Sequence, residues 1–276
     1  MKQTTLRDAV RFTGVGLHTG ADVGIEIRPA PENAGIAFVA GGIRIPATAE
    51  HVVDTSRATV LGLGGKTVST VEHVLSALVG MNVANAEIAV DGPEVPVVDG
   101  SAKAFSDAIA QAGIDEQKGE RAVFDVAQPY ELRDRGAAIV LLPSESLRVR
   151  FVADFRAPIG VQYFDAEVNE ELYRNEIAPA RTFGYLEEID ELRARGLARG
   201  GSLENALVFS PTGPMQELRW PDEVVRHKVL DLLGDVALLG AFPRCEIVAI
   251  KSGHRLHAQA MLALRRRSGA LSARSA

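Results

Sequence analysis

A single cysteine, Cys245, stands in the whole chain, so neither a disulfide framework nor a thiolate zinc site can be built from it. Positive charge is also scarce. The 36 acidic residues outnumber the 30 basic ones, and a formal charge of −6 argues against a broad nucleic-acid surface, so any phosphate must be met by local cations. No apolar run approaches the roughly 18 residues needed to span a bilayer, and the opening Met1-Lys2-Gln3-Thr4-Thr5-Leu6-Arg7-Asp8 carries no signal core. The expectation is a soluble, cytoplasmic protein without an integral membrane segment or an evident obligate protein partner. No internal repeat is visible. What the chain does have is 46% hydrophobic content over 276 residues, long for one compact domain and comfortable for two.

The patterning is mixed. Val23, Ile25 and Ile27 alternate with polar or small residues, as do Ala86, Ile88 and Val90, and Leu147, Val149 and Phe151, which predicts half-buried strands. Helices are expected over 101–112, 186–195 and 222–239, each closed by a glycine: Gly113, Gly196 and Gly240. The polar stretch from Gly113 to Glu120 reads as a linker and sets a boundary between domains 1–118 and 119–276. Ile247 to Ile250 reads as a buried strand that delivers Lys251 and His254 at its end, ahead of a helix through Met261 and Leu264. The tail from Arg265 to Ala276 reads as a helix end that meets solvent and frays.

Inside the helix predicted over 222–239, His227, Asp231 and Asp235 follow one another at intervals of four. That spacing stacks one imidazole and two carboxylates on one side, where they can close on a cation. The plainer reading is two surface carboxylates and a core histidine. Two further segments add polar histidines: Ser69-Thr70-Val71-Glu72-His73 and Lys251-Ser252-Gly253-His254. Zinc hydrolases commonly use three protein ligands from the His/Asp/Glu set with a nearby Glu that takes a proton from water, and His73, His227 and Asp231 fill the three places. Glu72 is then the base, although Ser69-x-x-Glu72 is equally a capping box. Gly234 in the metal helix costs roughly 1 kcal/mol against alanine and is read as permitting close packing.

These residues resemble the UDP-3-O-acyl-N-acetylglucosamine deacetylases, zinc amidases of the committed step of lipid A synthesis in Gram-negative bacteria. The resemblance runs in family order through Gly14-Val15-Gly16-Leu17-His18-Thr19-Gly20, 69–73, Pro93-Glu94-Val95-Pro96-Val97-Val98-Asp99-Gly100-Ser101-Ala102, Ala180-Arg181-Thr182-Phe183-Gly184-Tyr185, Gly200-Gly201-Ser202, 225–228 and 251–254. It implies an α+β fold of two similarly folded β-α-α-β domains packed helix layer against helix layer, each with a small insert.

It also implies zinc, or ferrous iron in the cell, between the domains, with Glu72 and His73 from the first and His227, Asp231, Asp235 and His254 from the second. Thr182 is the matched hydroxyl donor for the oxyanion. His254, oriented by Asp235, is the candidate acid for the leaving amine. The implied substrate, an acylated UDP-sugar, needs two more subsites. Lys228 and Lys251 are candidates for diphosphate or sugar contacts, and Phe183, Tyr185, Gly200 and Gly201 for the walls of an acyl passage, where Arg199 is unexpected. His51 and His257 read as structural, and His18 has no derivable role. Two competing readings remain: a zinc amidase for another N-acetyl sugar, and a non-catalytic sugar-nucleotide-binding protein clipped together by metal.

Overall fold

Residues 1–272 are described by the computed structural model, with side chains through Arg267; the tail beyond lies outside the described residues. The first half runs β1 (Lys2–Leu6), β2 (Val10–Val15), β3 (Asp22–Pro29), β4 (Ile36–Ala40), β5 (Ile43–Pro46), β6 (Val52–Asp54), β7 (Val60–Leu63), β8 (Lys66–Val68), α1 (Glu72–Gly80), β9 (Ala86–Asp91), α2 (Lys103–Ala112) and β10 (Ile114–Glu120). The second half runs β11 (Val123–Asp125), β12 (Tyr130–Asp134), β13 (Ala137–Pro143), β14 (Arg148–Asp154), β15 (Val161–Glu167), α3 (Glu170–Leu172), β16 (Phe183–Tyr185), α4 (Ile189–Ala194), β17 (Leu207–Ser210), β18 (Gly213–Pro214), α5 (Glu223–Val236), β19 (Phe242–Ile250) and α6 (His254–Ser272).

The two large sheets share one strand order: β2-β3-β9-β4-β5 in the first and β12-β13-β19-β14-β15 in the second, with β11 added beside β19. In each, the last strand to be made enters the middle. Ile88 of β9 pairs antiparallel with Ile27 and parallel with Phe38. Ile247 of β19 pairs antiparallel with Leu141 and parallel with Val149. The expected period of two is met, since Val23, Ile25 and Ile27 are buried while Gly24 and Glu26 between them are partly exposed.

Helices cover one face of each sheet and meet in the middle. All nine residues of α1 are buried, and α5 is buried along most of its length. Leu230, Leu232 and Leu233 are each 0% exposed, and burying a side chain of that size is worth about 1.5–3 kcal/mol. An apolar surface on nearly every side fits a helix between a sheet and another helix, and the one polar side, carrying His227, Asp231 and Asp235, is spared for the site. Gly234 lets the two helices touch: a Cβ there would lie 2.1 Å from the Glu72 carbonyl oxygen. A 3-10 turn over Ala237–Leu239 and left-handed Gly240 end the α5 segment.

The stretch from Gly113 to Glu120 is not a linker. It forms β10, paired antiparallel with β1 from Leu6↔Ile114 to Lys2↔Glu120. Its polar side chains are its partners: Lys2 Nζ donates to Glu120 Oε1 at 2.6 Å, and Arg7 Nε to Asp115 at 3.0 Å. One face of the ribbon is buried, but it is buried through Gln3 and Thr5 and not through an apolar series, so no apolar alternation betrays it. The start of the tail is also anchored. Arg265 pairs with Glu50 at 2.8 Å and caps the Leu239 carbonyl, while Arg267 lies over the Tyr130 ring. Among the described residues, no helix is long and apolar enough to cross a membrane.

Candidate metal and catalytic site

Three donor atoms from α1 and α5 converge. His227 Nε2 lies 3.4 Å and His73 Nε2 3.9 Å from Asp231 Oδ1, and the two rings meet edge to face with centroids 5.1 Å apart. One donor atom from each of the three residues lies within 4.8 Å of the other two. Ligands about 2.0–2.1 Å from a tetrahedral zinc stand roughly 3.3 Å apart, so the spacing fits. Their protonation fits as well. His227 Nδ1 faces the Ala180 carbonyl at 3.0 Å, which holds its proton there and leaves Nε2 as a bare lone pair. Burial, reinforced by His227, pushes His73 down to about 3, and burial likewise lowers His227. Burial would raise Asp231, but Lys228 and the histidines overcome it and hold the carboxyl well below its usual range. Two neutral imidazoles and a carboxylate are what a divalent cation requires.

Glu72 sits beside this set as the first residue of α1, with Val71 as N-cap and no side-chain cap bond at that end. A capping box needs its Glu two positions further in, so that reading fails here. Its Oε2 instead accepts the Thr59 N–H at 3.0 Å, and its Oε1 lies 3.8 Å from His254 Nε2. Burial pushes the carboxyl up to about 7, against the pull of His254. His254 opens α6 at the end of β19, with Nδ1 2.8 Å from Asp235 Oδ2. Burial lowers its pKa, but Asp235 and Glu72 carry it up to about 9. Both groups are thus raised: Glu72 is brought close to neutrality, where it can accept a proton, and His254 keeps its proton above it, as a base and an acid require.

A cavity of about 270 Å³ opens above these groups. Thr182, Phe183, Tyr185 and Gly201 line it, and Leu192 and Val208 add apolar wall. Tyr185 is pinned, its hydroxyl donating to the Arg156 carbonyl at 2.9 Å and its ring under the Arg156 guanidinium. Gly200 does not line the cavity: it packs against the Gly16 carbonyl, where a Cβ would lie at 2.3 Å. Arg199 also lies outside the lining, against Gly20. Away from the carboxylates and histidines at its foot, the cavity is lined by the charged Arg57, Arg193 and Glu188, with Glu188 pairing to Arg57 at 3.3 Å.

Lys228 and Lys251 line a neighbouring cleft that shares His227, Asp231 and His254 with the first. Neither is idle there. Lys228 Nζ donates to Asp231 Oδ2 at 2.6 Å, leaving Oδ1 to the metal position, and Lys251 pairs with Asp154.

Three residues escaped the sequence reading. Glu94 is fully buried and accepts from the backbone of His18 and Thr19 and from the hydroxyls of Thr19 and Thr70. It ties the 14–20 loop to the start of α1, and the motif around His18 is explained by these backbone donors. Glu223, also 0% exposed, accepts from Arg181 Nε at 2.9 Å and Arg219 N at 2.6 Å, fixing the segment before Thr182 to the start of α5. His257, read as structural, donates to Asp235. Each acts through a partner distant in sequence, which no local spacing reveals. His51 stays apart from the site, its ring against Thr48.

The family model described as UDP-3-O-acyl N-acetylglycosamine deacetylase matches residues 3–266. Relatives named UDP-3-O-acyl-N-acetylglucosamine deacetylase are similar over most of their length. That of Anaeromyxobacter dehalogenans is 45% identical across 92% of this chain and 84% of its own, and that of Myxococcus xanthus 44% across 92% and 83%. That of Nostoc sp. is 43% identical across 96% of this chain and 99% of its own.

Proposed function

Because the chain belongs to the UDP-3-O-acyl N-acetylglycosamine deacetylase family, we propose that it removes the N-acetyl group of UDP-3-O-(3-hydroxyacyl)-N-acetylglucosamine, releasing acetate in the committed step of lipid A synthesis. The chain then acts in the cytoplasm as two domains; the boundary expected between 118 and 119 falls inside β10 and moves to just after Glu120, and the repeated strand order of the two sheets supports the division.

His73, His227 and Asp231 would hold the metal, zinc or ferrous iron. When bound, the cation supplies a Lewis acid for the amide carbonyl and brings the pKa of water from about 16 toward 7. Glu72 Oε1, the oxygen not committed to Thr59, takes the proton of the attacking water. Thr182, whose backbone is clamped to Gly100 at 2.7 Å and to Leu207 at 2.8 Å, offers its hydroxyl to the developing oxyanion. His254 donates from Nε2 to the departing amine, and Asp235 stabilises the imidazolium it carries until then. Phe183, Tyr185 and Gly201 exclude water along the acyl chain, while Lys228 and Lys251 face the cleft for the diphosphate or sugar.

The observation that carries this reading is the flanking of three metal donors by Glu72 and His254 at the foot of an apolar-walled cavity. A protein that only bound sugar nucleotides would need no such base and acid. The experiment is a deacetylation assay on acylated and unacylated UDP-N-acetylglucosamine with metal analysis of the same sample. Acylated substrate should be strongly preferred by a sample carrying one metal per chain. Equal kcat/KM on both would favour an amidase for another N-acetyl sugar, and no turnover of either would refute the reading.

A further inference from the structure

Asp235 holds His254, and the structure shows what holds Asp235. Its carboxylate is fully buried and meets three donors from two segments, the turn before β7 and the start of α6. Thr59 Oγ1 donates to Oδ1 at 2.6 Å, while Oδ2 accepts from His254 Nδ1 and from His257 Nδ1, each at 2.8 Å. On its far side, His257 Nε2 lies 2.8 Å from Ser252 Oγ. The ring is 0% exposed. A neutral imidazole has one N–H and one bare nitrogen. With the carboxylate at Nδ1 the proton belongs there, and Nε2 accepts from the Ser252 hydroxyl. Burial favours that neutral form.

The arrangement follows from local sequence. Ser252 closes the turn after β19, His254 opens α6, and His257 comes three residues later on the same side of that helix, so both histidines meet one carboxylate of α5. Asp235, His254 and His257 have atoms close enough to hold an ion. Both Nδ1 atoms face the same oxygen at hydrogen-bonding distance, however, so protons satisfy it. Thr59 is a less rigid support, because its rotatable hydroxyl also lies 3.2 Å from His254 Nδ1. His257 is the donor on a rigid ring with an anchor of its own.

We propose that His257 is a positioning residue for the deacetylation: its Nδ1–H fixes the plane of the Asp235 carboxylate and thereby aims His254 Nε2 at the leaving nitrogen. This rests on the reading of His254 as the acid. His257 itself touches neither substrate nor metal.

The test uses the full chain with its metal and compares kcat, KM and metal content in His257→Leu, His257→Asn, His257→Gln and His254→Ala. Asparagine places an N–H near the Nδ1 position, whereas glutamine places one near Nε2. The leucine and glutamine variants should lose about 10-fold or more in kcat with KM and metal content unchanged, as supporting partners of catalytic groups typically do. Asparagine should restore most of it, and adding His257→Leu to His254→Ala should cost nothing further. If the leucine variant fails to fold with the Ser252 hydroxyl left unpaired, the contrast of asparagine with glutamine decides. Wild-type kcat in the leucine or glutamine variant, equal losses in asparagine and glutamine, or an added loss in the double variant would overturn the proposal. Wild-type kcat in His254→Ala would bring down the acid reading and this inference with it. An inactive His254→Ala beside a fully active His257→Leu would bring down this inference alone.

Discussion

Adding one methyl group at Gly234 should disable the site without touching a ligand. The new Cβ would lie 2.1 Å from the Glu72 carbonyl oxygen, 2.7 Å from its carbon and 2.9 Å from its Cα, against an ordinary contact of 3.4 Å or more. All three atoms are backbone, so no rotamer can yield, and α1 must retreat from α5 by roughly 1.3 Å at that point. Glu72 and His73 ride on α1, whereas His227 and Asp231 ride on α5. Metal geometry tolerates about 0.2 Å, and a 1 Å misplacement near the chemistry costs about 100-fold. Gly234→Ala should therefore lower kcat/KM by about 100-fold and weaken metal binding by 10-fold or more. Stability is pulled both ways: alanine gains about 1 kcal/mol of helix propensity, and overpacking costs about 1–3 kcal/mol. The net should be a small fall in Tm. Steady-state kinetics, chelator-competition metal titration and a melt of the metal-free protein read all three. Wild-type kcat and metal affinity together with a raised Tm would refute the reasoning, because the helices would then have had room to spare.

Replacing His73, His227 or Asp231 by alanine should remove bound metal and activity together, and metal stoichiometry checks it; one metal per chain in any variant takes that residue out of the ligand set. Rate against pH should be bell-shaped, rising as Glu72 loses its proton from a pKa pushed by burial to about 7 and falling as His254 loses its own from about 9. A bound cation should move both limbs down, and Glu72→Gln should flatten the acidic one. Because the folded state raises the Glu72 pKa from 4.5, the metal-free protein should lose stability as pH climbs from there toward 7. Urea midpoints against pH should show that slope in the wild type and less of it in Glu72→Gln. Gly201→Met should penalise long acyl chains more than short ones in kcat/KM and leave metal content intact; indifference to chain length would take Gly201 out of the passage.

What could be seen in the sequence follows the range of the interactions involved. The stack of His227, Asp231 and Asp235 needs only the pitch of one helix, and the glycine stops after Ala112 and Leu239 need only local backbone. The α6 start at His254 after a short apolar strand is equally local. By contrast, β10 is held by backbone pairing to β1 more than a hundred residues away, and its polar composition reads as linker until the partner is known. Glu94 and Glu223 look like surface acids and are buried because distant backbone and arginine donors satisfy them. His257 reads as structural from sequence because its carboxylate partner lies on another helix. Gly201 and Gly200 are neighbours in sequence, yet only the first faces the cavity, a distinction set by the packing of Gly200 on Gly16.

The small strands β6, β7 and β8 interrupt the first half between its fifth strand and α1, and the segment from β16 to β18 interrupts the second between β15 and α5. Both interruptions occupy the same point in the shared strand order, so both emerge at the same end of the molecule. Arg57 from one and Glu188 from the other meet in an ion pair at the cavity. The helices that carry the proposed metal ligands and base belong to the repeated framework, and most of the cavity wall belongs to the interruptions. On the proposed function, acyl selectivity would be set by these two interruptions and could change without disturbing the sheets. Exchanging those loops between relatives should transplant selectivity while turnover stays put.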